Sequence, residues 1–532
     1  MACLNKAAAT ATGDLYGPVD HDDMVVDIGF QTMMRSVKYS GNSWVYSDEL
    51  QISYKGFPGR FMYKPDFSLQ LLRSVMYINH LQLISSSLFE SVGGYREEFE
   101  GSQDHDLALR LSEQVVPKHV TAVAYLWRVS AKRLSGEYGR ISDTSIKASQ
   151  DALEEHFHRL DLTAQVAPYE LQPSHELPPQ STGTFICRIQ PVAVPKISII
   201  IPCKLGTTLK IGRRTTINVL EHCLQSIRKS LLESDTPTLE SPEVEIILVL
   251  NHEDEIEDAD QVIAKYQLQG FSIIDKAGFS FSRKCNLGAQ HASGEILVML
   301  NDDTDIQTVG WTTHVISLLQ ENDVACVGGM LLNLDRTVQS CGDNIGRNSA
   351  VHYVPEELPS SVGDAMHRYF ADHETTSITG AFFCCRKTTF DTLGGFSAAF
   401  PNSFQDVDFC LRARSQGLRC LVSPHIKLLH FESVSRNPVV DDVTLLTIRD
   451  LHKPLIAPFD SYALFLYEKP KVPLLTLTAG LYLLSRIKQF LTKTYCLMGV
   501  YVRQGPSYPP FITPDVFRKK FPILNDDEYR IR

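Results

Sequence analysis

The sequence lacks several features that would define other classes of protein. Its twelve cysteines form no CxxC pair, and only Cys384 and Cys385 are adjacent. Such scatter is typical of free thiols in a reducing compartment and argues against a zinc site. The formal net charge is -11, which argues against a general basic surface for nucleic acid. We therefore expect no nucleic-acid partner.

Long apolar runs are also missing. The longest apolar segment, 472–484, is interrupted by Pro473 and by two threonines, and it is shorter than the roughly 20 residues that a spanning helix needs. Residues 1–12 do not contain the apolar core of a signal peptide. We expect a cytoplasmic protein, either free or held peripherally at the inner face of a membrane.

The length of 532 residues allows about three domains. Residues 165–195 are rich in Pro, Ser, Thr and Gln, and we predict that they form a linker. This linker would separate a first region, residues 1–164, from a second, residues 196–440. Residues 441–532 would then form a C-terminal helical extension.

The most informative stretch is residues 292–305, ASGEILVMLNDDTD. Its apolar run predicts a buried strand of an α/β sheet, and Asp302, Asp303 and Asp305 follow it directly. Ligands of such sheets bind beyond the carboxyl ends of the strands. Clustered carboxylates favour a bound cation, and oxygen ligands suit Mg²⁺ or Mn²⁺. An isolated acidic run would instead favour a turn and a helix cap, so the surrounding sequence has to decide.

The surroundings indicate an α/β protein with a duplicated part. Residues 196–202 (KISIIIP) and 245–250 (EIILVL) predict buried strands that alternate with helical stretches, as in a mostly parallel sheet. Residues 93–111 (GGYREEFEGSQDHDLALRL) share a pattern of glycines, aromatics, acids and an arginine with residues 394–412 (GGFSAAFPNSFQDVDFCLR). Each copy follows a carboxylate cluster, so we predict duplicated modules; a chance match of two glycine turns is the alternative.

The order of these motifs resembles glycosyltransferase family 2, particularly its O-antigen and rhamnan type, in which two modules often share a chain. The resemblance spans about residues 196–436 and also includes ITGAFFCCRK, QDVDFCLR and LLHFESVSR. It implies the GT-A fold, a Rossmann-like α/β fold for nucleotide-diphospho-sugar transfer. It further implies one complete module at 196–440 and one partial, degenerate module within 1–164, which resembles only the second half of the fold.

The resemblance also implies roles for individual residues. Asp406 matches the catalytic base, while Asp303 and His430 match ligands of Mg²⁺ or Mn²⁺. Asp408 and Arg412 are expected to form a structural pair on the following helix. Donor contacts are implied at the following positions: Pro202, Asn251, Asn286, Gly288 and Asp302.

Three positions depart from the family pattern. Leu250 and Gln405 stand where the family has acids, and Leu126 is the counterpart of His430 in the first region. The strands that would hold the nucleotide base have no counterpart in residues 1–164. We therefore expect the first region to bind no donor.

The implied function is metal-dependent, inverting transfer of a sugar from a nucleotide-sugar donor to a glycan or lipid-linked glycan, in cell-surface polysaccharide synthesis. In that chemistry a carboxylate accepts the proton of the attacking hydroxyl, and a divalent cation offsets charge on the leaving group. The basic, apolar segment 474–491 suits peripheral membrane contact and equally suits a packing helix. A rival function is a non-catalytic glycan-binding or scaffold protein built from decayed modules.

Overall fold

The protein is described by a computed structural model that covers residues 2–54, 56, 58–130, 141–171, 180–211, 215–231, 241–346, 349–352, 369–431, 442–452 and 455. These residues divide into two compact units. The first comprises residues 2–68 and 76–156, and the second comprises 69–75 and 157–455. No helix in this described part is long and apolar enough to cross a membrane. The predicted segment 474–491 lies outside the described residues.

The second unit is built on a ten-stranded sheet in the order β13-β12-β9-β14-β21-β16-β22-β15, with β17 paired to β16 and β20 to β22. Its strands are β9 (Ile197–Pro202), β12 (Val244–Leu250), β13 (Gln269–Ile274), β14 (Ile296–Leu300), β15 (Thr304–Ile306), β16 (Val324–Leu332), β17 (Val338–Ser340), β20 (His373–Glu374), β21 (Phe382–Arg386) and β22 (Arg419–His430). Two hairpins stand outside the sheet: β10 (Thr208–Ile211) with β11 (Thr215–Asn218), and β18 (Asp343–Gly346) with β19 (Ser349–His352).

The second unit contains eight described helices, of which six pack on the two faces of this sheet. They are α3 (Leu69–Ser74), α7 (Val219–Leu231), α8 (Ile256–Lys265), α9 (Phe281–His291), α10 (Trp311–Leu318), α11 (Lys387–Thr392), α12 (Gln405–Ser415) and α13 (Asp442–Leu451). One apolar core joins α7, α8 and α10 to one face, and a second core joins α9, α11 and α12 to the other. The result is a three-layer α/β/α arrangement.

The apolar runs explain the centre of this sheet. Strands β13, β12, β9 and β14 are mutually parallel neighbours, and every residue of β9 and β14 is buried. A strand covered by helices on both faces needs apolar side chains pointing both ways, which is why these segments are continuous rather than alternating in the sequence. The predicted strands and the α/β fold class are thus confirmed.

The predicted linker at 165–195 differs from what the structure shows. Its ends form an antiparallel hairpin of β7 (Ala164–Leu171) and β8 (Gln180–Ile189) within the second unit. Phe185, Cys187 and Ile189 alternate along β8 and are buried, and the Ile189 amide donates to the Ser317 hydroxyl at 2.7 Å. The polar composition of the stretch as a whole concealed this period of two. Residues 172–179 lie outside the described part of the chain.

The first unit contains a smaller sheet with the path β1-β5-β3-β6-β2, and β4 pairs with β3. Its strands are β1 (Leu15–Tyr16), β2 (Met24–Val25), β3 (Trp44–Ser53), β4 (Pro58–Met62), β5 (Gln82–Ser85) and β6 (Lys118–Val129). Its helices are α1 (Ala2–Thr10), α2 (Asp27–Ser40), α4 (Ser86–Ser91) and α5 (Gln103–Ser112), and α6 (Asp143–Arg159) runs across the boundary between the two units.

This path repeats the second half of the larger sheet. The order β14-β21-β16-β22-β15 has the same sequence of parallel and antiparallel pairings as β1-β5-β3-β6-β2. Nothing among the described residues of the first unit corresponds to β9, β12 or β13. The internal pairing therefore agrees with a partial module that begins at the counterpart of β14.

The repeated sequence pattern has a shared structural purpose. Arg412 pairs with Asp408 at 2.8 Å and also donates to the carbonyls of Leu393 and Gly395. In the first unit, Arg110 pairs with Asp106 and donates to the carbonyls of Val92 and Gly94. In both copies the arginine joins a helix to a turn whose two glycines have positive φ, a conformation that side chains disfavour.

Candidate active site

The acidic run lies at the carboxyl end of β14. The amide of Asn301 donates to the Ala381 carbonyl at 3.1 Å, and the chain then turns into β15. Because β15 pairs antiparallel with the end of β22, Thr304 stands opposite His430. The Asp303 carbonyl accepts from the Phe431 amide at 3.0 Å, which fixes this corner. The strand pairing therefore brings Asp303 and His430 together.

The imidazole of His430 is held in one orientation by Gln339 on β17. The Nδ1 atom of His430 lies 2.6 Å from Gln339 Oε1, which can only accept a hydrogen bond. The Gln339 amide nitrogen donates to the Asn333 side chain at 3.2 Å, so the glutamine oxygen faces His430. The proton consequently belongs on Nδ1, and the Nε2 lone pair points toward Asn301 and Asp303.

The surroundings of the Asp303 carboxylate indicate whether a metal ion would fit at this site. Asp303 is 5% exposed, and its Oδ1 atom has no hydrogen-bond partner in the described part of the chain. That oxygen lies 3.2 Å from His430 Nε2. His430 Nε2 also accepts a hydrogen bond from the Asn301 side-chain amide at 3.2 Å. The separation of Nε2 and Oδ1 is close to the distance of about 3.0 Å between adjacent ligands of an octahedral Mg²⁺ with bond lengths of about 2.1 Å. Asp303 and His430 therefore fit a divalent cation.

The neighbouring Asp302 has an unusual electrostatic environment. Burial and then the charge of Asp303 raise the pKa of Asp302 to about 7. The amide of Lys204, just beyond β9, and the charge of Lys284 act in the opposite direction. Lys284 is fully buried, its pKa is lowered by burial, and it donates to the Val249 carbonyl at 2.7 Å. This edge thus carries negative charge that a cation would relieve.

Asp406 lies in the first turn of α12, where the helix dipole favours a carboxylate. Its Oδ2 atom accepts from the Gly380 amide at 2.6 Å, and its Oδ1 atom accepts from the Val407 amide at 2.9 Å. Gly380 directly precedes Ala381, the residue that accepts from Asn301. One short segment therefore holds both the predicted base and the acidic run.

The predicted donor contacts fall into two groups. Pro202 is the last residue of β9, and Asn251 follows the last residue of β12, so both lie at the same sheet edge as Asp302. Asn286 instead forms two hydrogen bonds with the backbone of Phe396. Its Oδ1 atom accepts from the Phe396 amide at 2.9 Å, and its Nδ2 atom donates to the Phe396 carbonyl at 2.8 Å. Gly288 permits close packing, because a Cβ there would lie 2.3 Å from Ile200. Contact of these residues with a donor stays a prediction.

Sequence reasoning missed two residues of this site. Gln339 is far from His430 in the chain, and only the pairing of β17 with β16 brings it near. Lys284 did have a signal, since it lies four residues before Gly288 on the buried face of α9. A lysine on an apolar helical face needs a buried acceptor or a counter-charge, and both are present here.

The first unit lacks this arrangement. Met24 pairs with Leu126 as Thr304 pairs with His430, so Leu126 occupies the position of the imidazole. Asp23, the counterpart of Asp303, accepts from the Tyr125 hydroxyl at 2.7 Å and from the Arg128 amide at 2.6 Å. Its carboxylate oxygens are therefore both engaged by the protein.

The carboxyl ends of the parallel strands thus gather Asp302, Asp303 and the oriented imidazole of His430 in an α/β protein, and ligands of such sheets bind at these ends. Residues 215–440 match the family described as "Glycosyltransferase like family 2". This match covers less than half of the chain.

Comparison with known proteins shows partial relatives. The chain is 29% identical over 439 residues to the "O-antigen biosynthesis protein RfbC" of Myxococcus xanthus, covering 81% of this chain and 32% of that protein. It is 28% identical over 445 residues to "Uncharacterized protein y4gI" of Sinorhizobium fredii (strain NBRC 101917 / NGR234), covering 81% and 45%. The chain thus spans less than half the length of these two relatives.

A solved structure, "Crystal structure of GalNAc-T7 with UDP, GalNAc and Mn2+", is 12% identical and has a TM-score of 0.37. The similarity covers 58% of this chain and 57% of that one. A TM-score of this size is too low to show a common fold.

Proposed function

We propose that the second unit transfers a sugar from a nucleotide-sugar donor to a glycan acceptor, with inversion and with help from a divalent cation. The proposal extends to a place in cell-surface polysaccharide synthesis, which the similarity to an O-antigen biosynthesis protein supports. The observation that carries it is the buried Asp303 oxygen, which accepts no hydrogen bond in the described part of the chain and lies 3.2 Å from the oriented imidazole of His430. A non-catalytic binding protein would have no need for such a costly pair.

Each group in the site has a part in this chemistry. Asp303 and His430 would hold the cation, and Asp302 would support them. A bound Mg²⁺ or Mn²⁺ supplies positive charge that offsets the charge gathered on the nucleoside diphosphate leaving group. Pro202, Asn251 and the loop beyond β13 would border the nucleoside, because ligands of such sheets lie beyond the carboxyl ends of the strands.

Asp406 would act as the general base. In an inverting displacement, the acceptor hydroxyl attacks the anomeric carbon while its proton passes to a carboxylate oxygen. The amides of Gly380 and Val407 orient Asp406, and an ionised carboxylate can accept that proton. The bond from the anomeric carbon to the diphosphate oxygen breaks in the same step. One carboxylate and one cation suffice for this transfer.

The direct test is calorimetric titration of the full chain with UDP, dTDP and GDP, each with and without Mn²⁺. We expect one nucleotide to bind in a manganese-dependent way, and this binding should disappear in Asp303→Ala. The matched control is Asp23→Ala in the first unit, which should bind like the wild type. Absence of nucleotide binding to the folded chain under every metal condition would overturn the proposal and favour the binding-scaffold function.

A further inference from the structure

Three cysteines meet in the core on the helical face opposite to α7, α8 and α10. Cys326 lies on β16, Cys410 on α12 and Cys420 on β22, and each is fully buried. Their sulfur atoms all lie within 4.8 Å of one another, and Cys326 Sγ and Cys410 Sγ are 3.7 Å apart. In the part of the chain that the structure describes, this is the one group of three or more such side chains with metal-binding spacing.

The pairing of β16 with β22 and the position of α12 bring the three cysteines together. Cys326 pairs with Cys420 across the parallel strands β16 and β22, so their side chains point to the same face. Cys385 pairs with Cys326 from the other side and belongs to the same apolar core, yet its sulfur is outside the triangle. The third sulfur comes from Cys410, one helical turn after Asp406.

The separation of the Cys326 and Cys410 sulfurs matches that of two ligands in a metal site. A metal–sulfur bond of about 2.3 Å places ligating sulfurs about 3.8 Å apart in a tetrahedral site and about 4.0 Å apart in a trigonal one. The observed 3.7 Å is close to both values. Zinc in structural sites takes four ligands, whereas the triangle offers three and its surroundings are apolar, including Phe383 and Phe409. Soft thiolate ligands without a fourth donor favour Cu⁺.

The thiols also interact with one another. Burial raises the pKa of Cys326 and Cys410 well above that of an ordinary thiol. Hydrogen bonds directed at Cys420 from these two thiols lower the pKa of Cys420. The three groups thus converge on a common centre. An ion that enters must displace thiol protons to solvent, so its binding has to become tighter as the pH rises.

We propose that Cys326, Cys410 and Cys420 form a binding site for one soft, thiophilic metal ion of the Cu⁺ class. This site is separate from the hard-cation site at Asp303 and His430, and it does not depend on the proposed function. A bound ion ties α12, which carries Asp406, to β16 and β22. Loading therefore stabilises the second unit.

The experiment is to produce the full chain with and without added copper, purify it without oxygen, and measure metal per chain by elemental analysis. We expect about one copper per chain in the wild type and at least a tenfold lower content in Cys410→Ala, because one of three ligands is removed. Cys385→Ala is the matched control, since it removes a buried cysteine of the same core, and it should retain the copper.

X-ray absorption on the copper-loaded wild type provides a second readout that needs no variant to fold. We expect sulfur ligands alone, about three of them, as the triangle provides. Nitrogen or oxygen ligands, failure of the wild type to retain copper, equal loss in Cys385→Ala, or retention of zinc in place of copper would each overturn the proposal. Calorimetry with Mn²⁺ addresses the other site independently.

Discussion

The two units share one strand path, but the equivalent carboxylates, Asp23 and Asp303, have different hydrogen bonding. In the first unit Asp23 receives hydrogen bonds from a tyrosine hydroxyl and a backbone amide. Among the described residues of the second unit, none donates a hydrogen bond to Asp303 Oδ1, which faces His430 Nε2 at 3.2 Å. The opposing residue on the next strand is Leu126 in one case and His430 in the other. The same strand arrangement can therefore provide hydrogen bonds to this carboxylate from the protein itself, as it does for Asp23.

What the two units retain in common is structural. Each keeps the glycine turn, the helix after it and the arginine that joins them. These parts are needed to close the sheet on its helix, whatever the sheet binds. The unsatisfied oxygen, by contrast, costs stability and is expected only where a ligand compensates for it. The comparison thus separates residues required by the fold from residues required by the site.

The largest expected effect concerns the proposed base. Asp406→Asn removes the proton acceptor, so we expect the rate of sugar transfer to fall by about 10²–10⁴-fold. The matched control is Asp104→Asn, at the corresponding position of the first unit, and it should leave the rate within about twofold of the wild type because we expect no donor to bind beside it. Steady-state kinetics with the donor identified by calorimetry measures both. Equal losses in the two variants would contradict the proposed division of roles.

Substitution of Arg412 and of Arg110 should destabilise the two units by similar amounts. Arg412→Ala and Arg110→Ala each leave a buried aspartate with one partner fewer, and we expect each to lower the free energy of unfolding by about 3 kcal/mol. Denaturant unfolding, with hydrogen exchange to assign the loss to one unit, makes the measurement. Lys147→Ala, which removes an exposed ion pair, should change stability little. A loss confined to one unit would break the proposed equivalence.

Exchange of the opposing residue tests the site itself. His430→Leu gives the second unit the residue of the first, and Mn²⁺ affinity should fall by about 10–100-fold because a ligand nitrogen is lost. The reciprocal Leu126→His should create no Mn²⁺ binding, since Asp23 is already engaged by Tyr125 and Arg128. Calorimetric titration with Mn²⁺ distinguishes these outcomes. Tight Mn²⁺ binding by the Leu126→His variant, with its site traced to the first unit, would show that the imidazole alone makes the site.

The sequence predicted the parts of this fold that depend on local pattern. The continuous apolar runs located β9, β12 and β14, and the acids after β14 lie at the carboxyl ends of the parallel strands. The prediction failed at β7 and β8, where alternating apolar residues flank a polar stretch. Gln339 could not have been found, because its contact with His430 depends on strand order rather than on spacing. The pairing of Met24 on β2 with Leu126 on β6 was needed to show that Leu126 takes the position of His430.

The smallest expected effect is a difference in acid sensitivity. A bulge separates the pairing of Ser423 from that of Lys427 on β22, and it contains His425; the corresponding bulge on β6 contains Thr121 and Ala122. Burial lowers the pKa of His425 to about 4, although Asp372 opposes this shift and His314 adds to it. The unfolded chain, whose histidine titrates near 6.5, therefore binds more protons in mild acid, so stability falls as the pH falls through this window.

Between pH 7.5 and pH 5.5 this linkage corresponds to a loss of about 1 kcal/mol in the free energy of unfolding. The variant His425→Gln should show a flatter pH profile, whereas His252→Gln, at an exposed position, should follow the wild type. Hydrogen exchange should report the loss in α10, which packs His314 against this bulge, and not in α2 of the first unit. An equal loss in both helices, or an unchanged slope in His425→Gln, would mean that the acid sensitivity arises elsewhere, and the contrast between the two bulges would then carry no energetic consequence.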